Sequence, residues 1–299
     1  MCDASAAVAL TAEHFAVAND EDNAIRIYDA RMPGQPLRSY EFARFLRVDR
    51  KNPETDIEGA CRVGDRIYWI TSHGQNQEGK YRASRHFFFA TAISGGGDLS
   101  LEGQTYRSLL AEMLREPRLR PYGLASGSLL PPKSRGGFNI EGLCATPQGH
   151  LLIGFRNPIP QGRALIVPLL NPEEVIAGKT ARFGNPILLN LDGLGIRDIA
   201  LRGSEFFIVA GAYDGSGRTR LYRWVGGQAQ PEAVRGMDLG DITAEALVVY
   251  PNDNARLQVL SDDGTRSIGG TPCKKLANAH LRQFRSVWVN FPASNAQSN

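Results

Sequence analysis

No run of apolar residues in this chain is long enough to cross a membrane as a helix, and the first residues, MCDASAAV, lack the basic-then-apolar pattern of a secretory leader. Cysteine is scarce. There are four in 299 residues and no C-x-x-C pair, which speaks against a zinc knuckle and makes a reducing cytoplasm the expected surroundings. Excess charge is also lacking: the formal net charge is +3, so no overall field favours nucleic acid. G-x-S-x-G, G-x-x-x-x-G-K-[ST] and H-E-x-x-H are all missing, and with them the hydrolase elbow, the phosphate loop and the zincin helix. The five histidines (His14, His73, His86, His150, His280) are scattered and make no metal-binding cluster. Turn formers, by contrast, are plentiful: 32 glycines and 17 prolines punctuate the chain as a turn-rich β protein requires.

A short phrase recurs. It reads D-I-E-G-A-C from Asp56, N-I-E-G-L-C from Asn139, R-D-I-A-L from Arg197, T-A-E-A-L from Thr243 and, more weakly, D-A-S-A-A from Asp3. Anchored on Ser5, Glu58, Glu141, Asp198 and Glu245, the copies are 53, 83, 57 and 47 residues apart. Each is followed by an apolar strand ending in a polar turn (FAVANDEDN, IYWITSHG, LLIGFRN, FFIVAGAYDG, LQVLSDDG), then by a third strand. A unit of this length cannot bury both faces alone, so five copies predict an all-β, five-bladed β-propeller of mostly four-stranded antiparallel blades, a single domain over residues 1–299. The last copy shows no clear fourth strand. Cys61 and Cys144 fall at equivalent places three residues after Glu58 and Glu141 and read as small buried apolar residues.

Strand direction alternates within a blade, so the acidic starts of the first strands, the turns after the second strands and the connections between blades must share one face of the disc. The 83-residue interval has room for an insertion at about 107–138 between blades 2 and 3. There Leu109, Leu110, Met113 and Leu114 recur at helical spacing until Pro117. Its excess of arginine and lysine makes it a basic flap on that same face, either a structural cover or a lid.

The chemistry is expected there. Glu58, Glu141, Asp198 and Glu245 converge on the axis, where bare carboxylates ~4 Å apart repel by about 1 kcal/mol per pair in water and about 4 near a protein surface. A divalent cation, calcium by its liking for oxygen ligands, would offset that repulsion. Arg156 and Arg197 on the same face, or hydrogen bonds between blades, would do so as well. Asp20, Asp56, Asn139, Asp214 and Asp263 are further candidates on this face, though Asp and Asn are also what tight turns want. His73 is not demanded by its turn and is the group there that titrates near neutral pH.

The phrases CDASAAVAL, FAVANDEDN, DIEGACRVGDRIYWITSHG, NIEGLC, LLIGFRNP and the terminal SDDG together resemble a bacterial family of uncharacterised β-propellers, a domain of unknown function, over nearly the whole chain. More distantly, the repeated I-E-G phrase is similar to that of phytase-like and esterase-like propellers. That likeness implies channel-mouth carboxylates holding calcium and assisting ester hydrolysis, although the first repeat carries Ser5 in place of an acid. The expectation is a cation at Glu58, Glu141, Asp198 and Glu245, with His73 as acid or base and Arg156 orienting a small anionic ester or phosphoester. The alternative is a non-catalytic scaffold that binds a ligand or a protein through the same face.

Overall fold

The computed structural model describes residues 1–235 and 239–291. Blade 1 holds β1 (Ala6–Ala9), β2 (His14–Ala18), β3 (Ala24–Asp29) and β4 (Arg38–Glu41). Blade 2 holds β5 (Ile57–Val63), β6 (Arg66–Thr71), β7 (Phe88–Ile93) and β8 (Leu99–Tyr106). In blade 3 the strands are β9 (Asn139–Ala145), β10 (Leu151–Asn157), β11 (Ala164–Leu169) and β12 (Ile187–Leu189). Blade 4 follows with β13 (Gly195–Arg202), β14 (Glu205–Gly211), β15 (Arg220–Trp224) and β16 (Glu232–Ala233). Blade 5 is three-stranded: β17 (Ala244–Val248), β18 (Arg256–Ser261) and, beyond the small hairpin β19 (Ser267–Ile268) and β20 (Thr271–Pro272), β21 (Ser286–Asn290). The inner strands β1, β5, β9, β13 and β17 each touch the next, and β17 returns to β1, which closes the ring of a five-bladed propeller. Among the described residues no helix is long and apolar enough to cross a membrane.

A blade is a sheet with two apolar faces, so its stability depends on its neighbours. The core accordingly falls into five clusters, one per blade junction. Ile25, Ile57, Trp69 and Phe89 sit between blades 1 and 2, and Tyr68, Phe88, Ile140 and Phe155 between blades 2 and 3. Ile166, Ile196, Ile208 and Trp224 fill the next junction, followed by Phe207, Leu247 and Val259, then Phe15, Val17 and Tyr250. Cys61 and Cys144 are buried free thiols inside these junctions.

Closure between blades 5 and 1 uses the N-terminal residues directly. Asp3 bridges Asp262, the Ala4 N–H donates to Ser261 O at 3.3 Å, and the Asp263 N–H donates to Cys2 O at 2.9 Å. A disulfide joins Cys2 to Cys273 across 271 residues. This bond departs from the sequence expectation. Scarce cysteine implied reducing surroundings, whereas disulfides persist in oxidising ones.

After β8 comes the helix Leu109–Arg115, followed by a 3-10 turn Pro117–Tyr122. Leu109, Met113, Leu119 and Leu124 are buried in the core between blades 2 and 3. Asn157 Nδ2 donates to Pro132 O at 2.8 Å and Ser134 O at 2.6 Å, and Gln75 Nε2 donates to Ser128 O at 2.7 Å. The segment is riveted to the blades along its length, and its tip, Pro132 and Lys133, reaches the channel mouth.

Candidate cation site at the channel mouth

In four of the five blades the pairing of the first two strands slips by one residue at the same place. The skipped residues are Glu58, Glu141, Arg197 and Glu245. Such a β-bulge re-aims one side chain, and here it brings these four toward the axis; Ser5, just ahead of β1, holds the corresponding place in blade 1. The fourth copy of the phrase is therefore G-I-R-D, with Arg197 rather than Asp198 at the equivalent position.

Carboxylate oxygens of Glu58, Glu141 and Glu245 lie within 4.8 Å of one another. All three residues are buried, at 7%, 2% and 6% exposure. Glu141 Oε1 accepts from Arg156 Nη1 at 2.6 Å and from Asn139 Nδ2 at 2.7 Å. Glu245 pairs with Arg197 Nη2, while Arg197 Nε stands 3.6 Å from Glu141 Oε2. Two guanidiniums thus meet three acids, and the acid left over is Glu58. Its carboxylate makes no hydrogen bond or ion pair among the described residues, and burial, followed by the charges of Glu141 and Asp56, drives its pKa well above the ordinary range. Glu141 Oε2 is likewise buried without a hydrogen bond. The unbonded Glu141 Oε2 and the unpaired Glu58 carboxylate lining the cavity are a donor set that a hard cation fits.

The trio lies at the floor of a cavity of about 370 Å³. Further acids line it: Asp20, Glu21, Glu54, Asp56 and Asp262. Burial and then Asp56 raise Asp20 to about 7, while burial raises Asp56 to about 6 against the pull of Arg85, 3.1 Å away. Asp3, beside Asp262, is pushed up to about 9, chiefly by burial. Basic side chains line it as well: Arg156, Arg197 and the flap's Lys133, together with Arg85 and Lys274, which pair with Glu54 and Asp56 and with Glu21. Arg156 Nε donates to Ala212 O at 3.1 Å, which anchors the side chain between blades 3 and 4.

The profile of a family described as protein of unknown function (DUF3616) matches residues 97–257, more than half of the chain. The chain belongs to the DUF3616 family. Among curated proteins none matches it. Of the solved structures, a GH43 β-1,3-galactosidase with galactodeoxynojirimycin superposes with a TM-score of 0.52 at 8% identity, over 97% of this chain and 90% of that one. A PQQ-bound aldose sugar dehydrogenase from Streptomyces coelicolor gives 0.45 at 12% identity, over 91% and 92%. The six-bladed lectin of Aleuria aurantia gives 0.42 at 14% identity, over 86% and 70%. At such identities the likeness to the galactosidase is one of fold alone.

For this DUF3616 chain the structure sorts the residues offered by its sequence. Glu58, Glu141, Glu245, Asp20, Asp56, Asn139, Arg156, Arg197 and Asp214 all line the one cavity. Asp198 does not. Its oxygens accept from the Ile199 N–H at 2.8 Å and from the Leu247 N–H of the next blade at 2.7 Å, so it straps β13 to β17. Asp263 is bound to Arg285 at 2.9 Å and to Ser261 Oγ at 2.8 Å, and its neighbour Asp262 lines the mouth instead.

His73 is also placed elsewhere. It is 1% exposed, its Nδ1 meets Thr71 O at 2.8 Å, and its ring packs edge-on against His86 rather than facing the cavity. Burial lowers it to about 4, so near neutral pH it is the neutral imidazole rather than an imidazolium acid. Lys274 and Glu54 join the mouth although the sequence did not single them out, whereas Lys133 in the flap and Asp262 in the turn after the second strand were expected on this face. The signal for Asp262 and Lys274 was present in the turn-to-face sorting, which places the whole loop after β18 on this side.

Proposed function

We propose that the channel mouth holds a divalent cation, calcium by its donor chemistry, through Glu58, Glu141 and Glu245. The proposal further has the cation meet a small anionic ligand oriented by Arg156 and Lys133. The observation that carries this reading is Glu58, a buried residue whose carboxylate makes no hydrogen bond or ion pair among the described residues, beside an unbonded oxygen of Glu141. An ion held there would polarise an ester or phosphoester oxygen. Asp20, on the cavity wall, replaces His73 as the group able to hold a proton near neutral pH. A second reading, a non-catalytic scaffold, draws on the pairing of Arg156 with Glu141 and Arg197 with Glu245, which already offsets two of the three acids. The cytoplasmic placement is not carried into this proposal, because the Cys2–Cys273 bond suits oxidising surroundings.

The test is a thermal melt of chelator-stripped protein with and without calcium, magnesium and manganese. A cation at ~100 times its dissociation constant adds about 2.7 kcal/mol, a shift of several degrees. Glu58→Gln, which leaves both arginine pairs intact, is expected to abolish it. No shift with any ion, or an undiminished shift in Glu58→Gln, would remove the cation site. If the ion binds but esters and phosphoesters turn over no faster than in Asp20→Asn, the scaffold reading stands.

A further inference from the structure

The opposite end of the channel is a different environment. Beyond the bulges, the far halves of all five inner strands open into a cavity of about 770 Å³ that shares no lining residue with the acidic mouth. Its walls carry alanine where a bulkier residue would close the space: Ala7, Ala9, Ala60, Ala145 and Ala200. Leu143, Ile199 and Leu247 supply broader apolar surface, and the thiols of Cys61 and Cys144 stay uncharged, held above their ordinary range by burial.

The single charged side chain on the lining is already satisfied. The Arg62 guanidinium donates to Gly64 O at 2.6 Å and to Leu10 O, and it faces Asp65 at 3.3 Å. Thr146 Oγ1, also on the lining, is buried and has no hydrogen-bond partner, a state that native hydroxyls rarely keep. The inner strands pair on one side only, so their other edges present backbone N–H and C=O groups that no neighbouring strand takes up.

We infer that this cavity is a second binding site, for an uncharged small molecule with an apolar ring or short acyl body and one group that hydrogen-bonds Thr146. Volume, apolar walls and a few placed polar groups are the features of small-molecule pockets. The absence of a free charge on the walls disfavours the anion expected at the other face.

N-phenyl-1-naphthylamine, a neutral fluorescent probe, tests this on the full chain in the presence of chelator, so the result is independent of any cation site. Saturable binding of one probe per chain is expected. Ala60→Leu and Ala145→Leu, which fill the cavity, should each weaken it about tenfold or more. In the unaltered protein, saturating probe should raise the melting temperature by several degrees, read by calorimetry. The inference is overturned by a non-saturable signal, or by unchanged affinity in both leucine variants at the wild-type melting temperature. Should those variants fail to fold, an unchanged melting temperature with and without saturating probe would overturn it.

Discussion

His73 and Asp20 are both buried against their charged forms, and they pull folding stability in opposite directions with pH. Burial holds His73 at about 4 and His86 at about 3, below the ordinary 6.5. Between those values and 6.5 the unfolded chain takes up protons that the folded chain refuses, so stability present above pH 6.5 is lost as pH falls. Asp20, raised from 3.8 to about 7, does the reverse. The folded chain keeps a proton that the unfolded chain releases, and stability declines as pH rises through that window. His73→Asn suits the left-handed backbone at this position, φ 54°. It is expected to shrink the fall in melting temperature between about pH 7.5 and about pH 5 by roughly 3 °C or more. Asp20→Asn is expected to enlarge that fall. Calorimetry at the two pH values checks both, and an unchanged fall in both variants would mean that neither group titrates out of line with the unfolded chain.

At the scale of the strand, each blade junction has a polar strap near the axis as well as its apolar core. Ser5 Oγ donates to Ile57 O at 2.6 Å between blades 1 and 2, and the Ile140 N–H donates to Ser72 O at 3.0 Å between blades 2 and 3. Arg156 and Asp198 serve the next two junctions. Asp198→Ala strands the buried Leu247 N–H and is expected to cost about 1–3 kcal/mol, with any cation binding retained. Weakened cation binding at unchanged stability would instead make Asp198 a ligand. The repeat phrase made the blades, their order and the shared face legible, because apolar alternation and turn residues are dictated by each strand's own burial. The offset of one residue in the fourth copy was not legible. R-D-I-A-L matches the acidic pattern through Asp198, and only the bulge reveals that Arg197 takes the axial place. His73 misled for a related reason: sequence reports that an imidazole sits at a turn, but not that His86, thirteen residues on, packs edge-on against it and helps bury it.

For the whole molecule, the question posed by a propeller is how its last blade holds its first. A fourth strand donated from the other terminus would do so through a ladder of hydrogen bonds. Among the described residues blade 5 has three strands, and the junction carries a few backbone bonds at residues 2–4 and the Cys2–Cys273 disulfide. The two sulfurs lie 271 residues apart in sequence, so the bond removes nearly all the end-to-end freedom of the unfolded chain, an effect of roughly 5 kcal/mol in the chain-entropy account. The apolar core between blades 5 and 1, with Phe15, Val17 and Tyr250, survives its loss. Cys2→Ser with Cys273→Ser should therefore still fold, but melt up to about 8 °C lower. The same loop carries Asp262 and Lys274 to the channel mouth, so any cation-induced stabilisation should weaken along with closure. If the double variant melts where the parent does, the disulfide adds nothing to closure, and the packing of Ala4, Ala7 and Phe15 against Tyr250 and Leu260 holds the ring on its own.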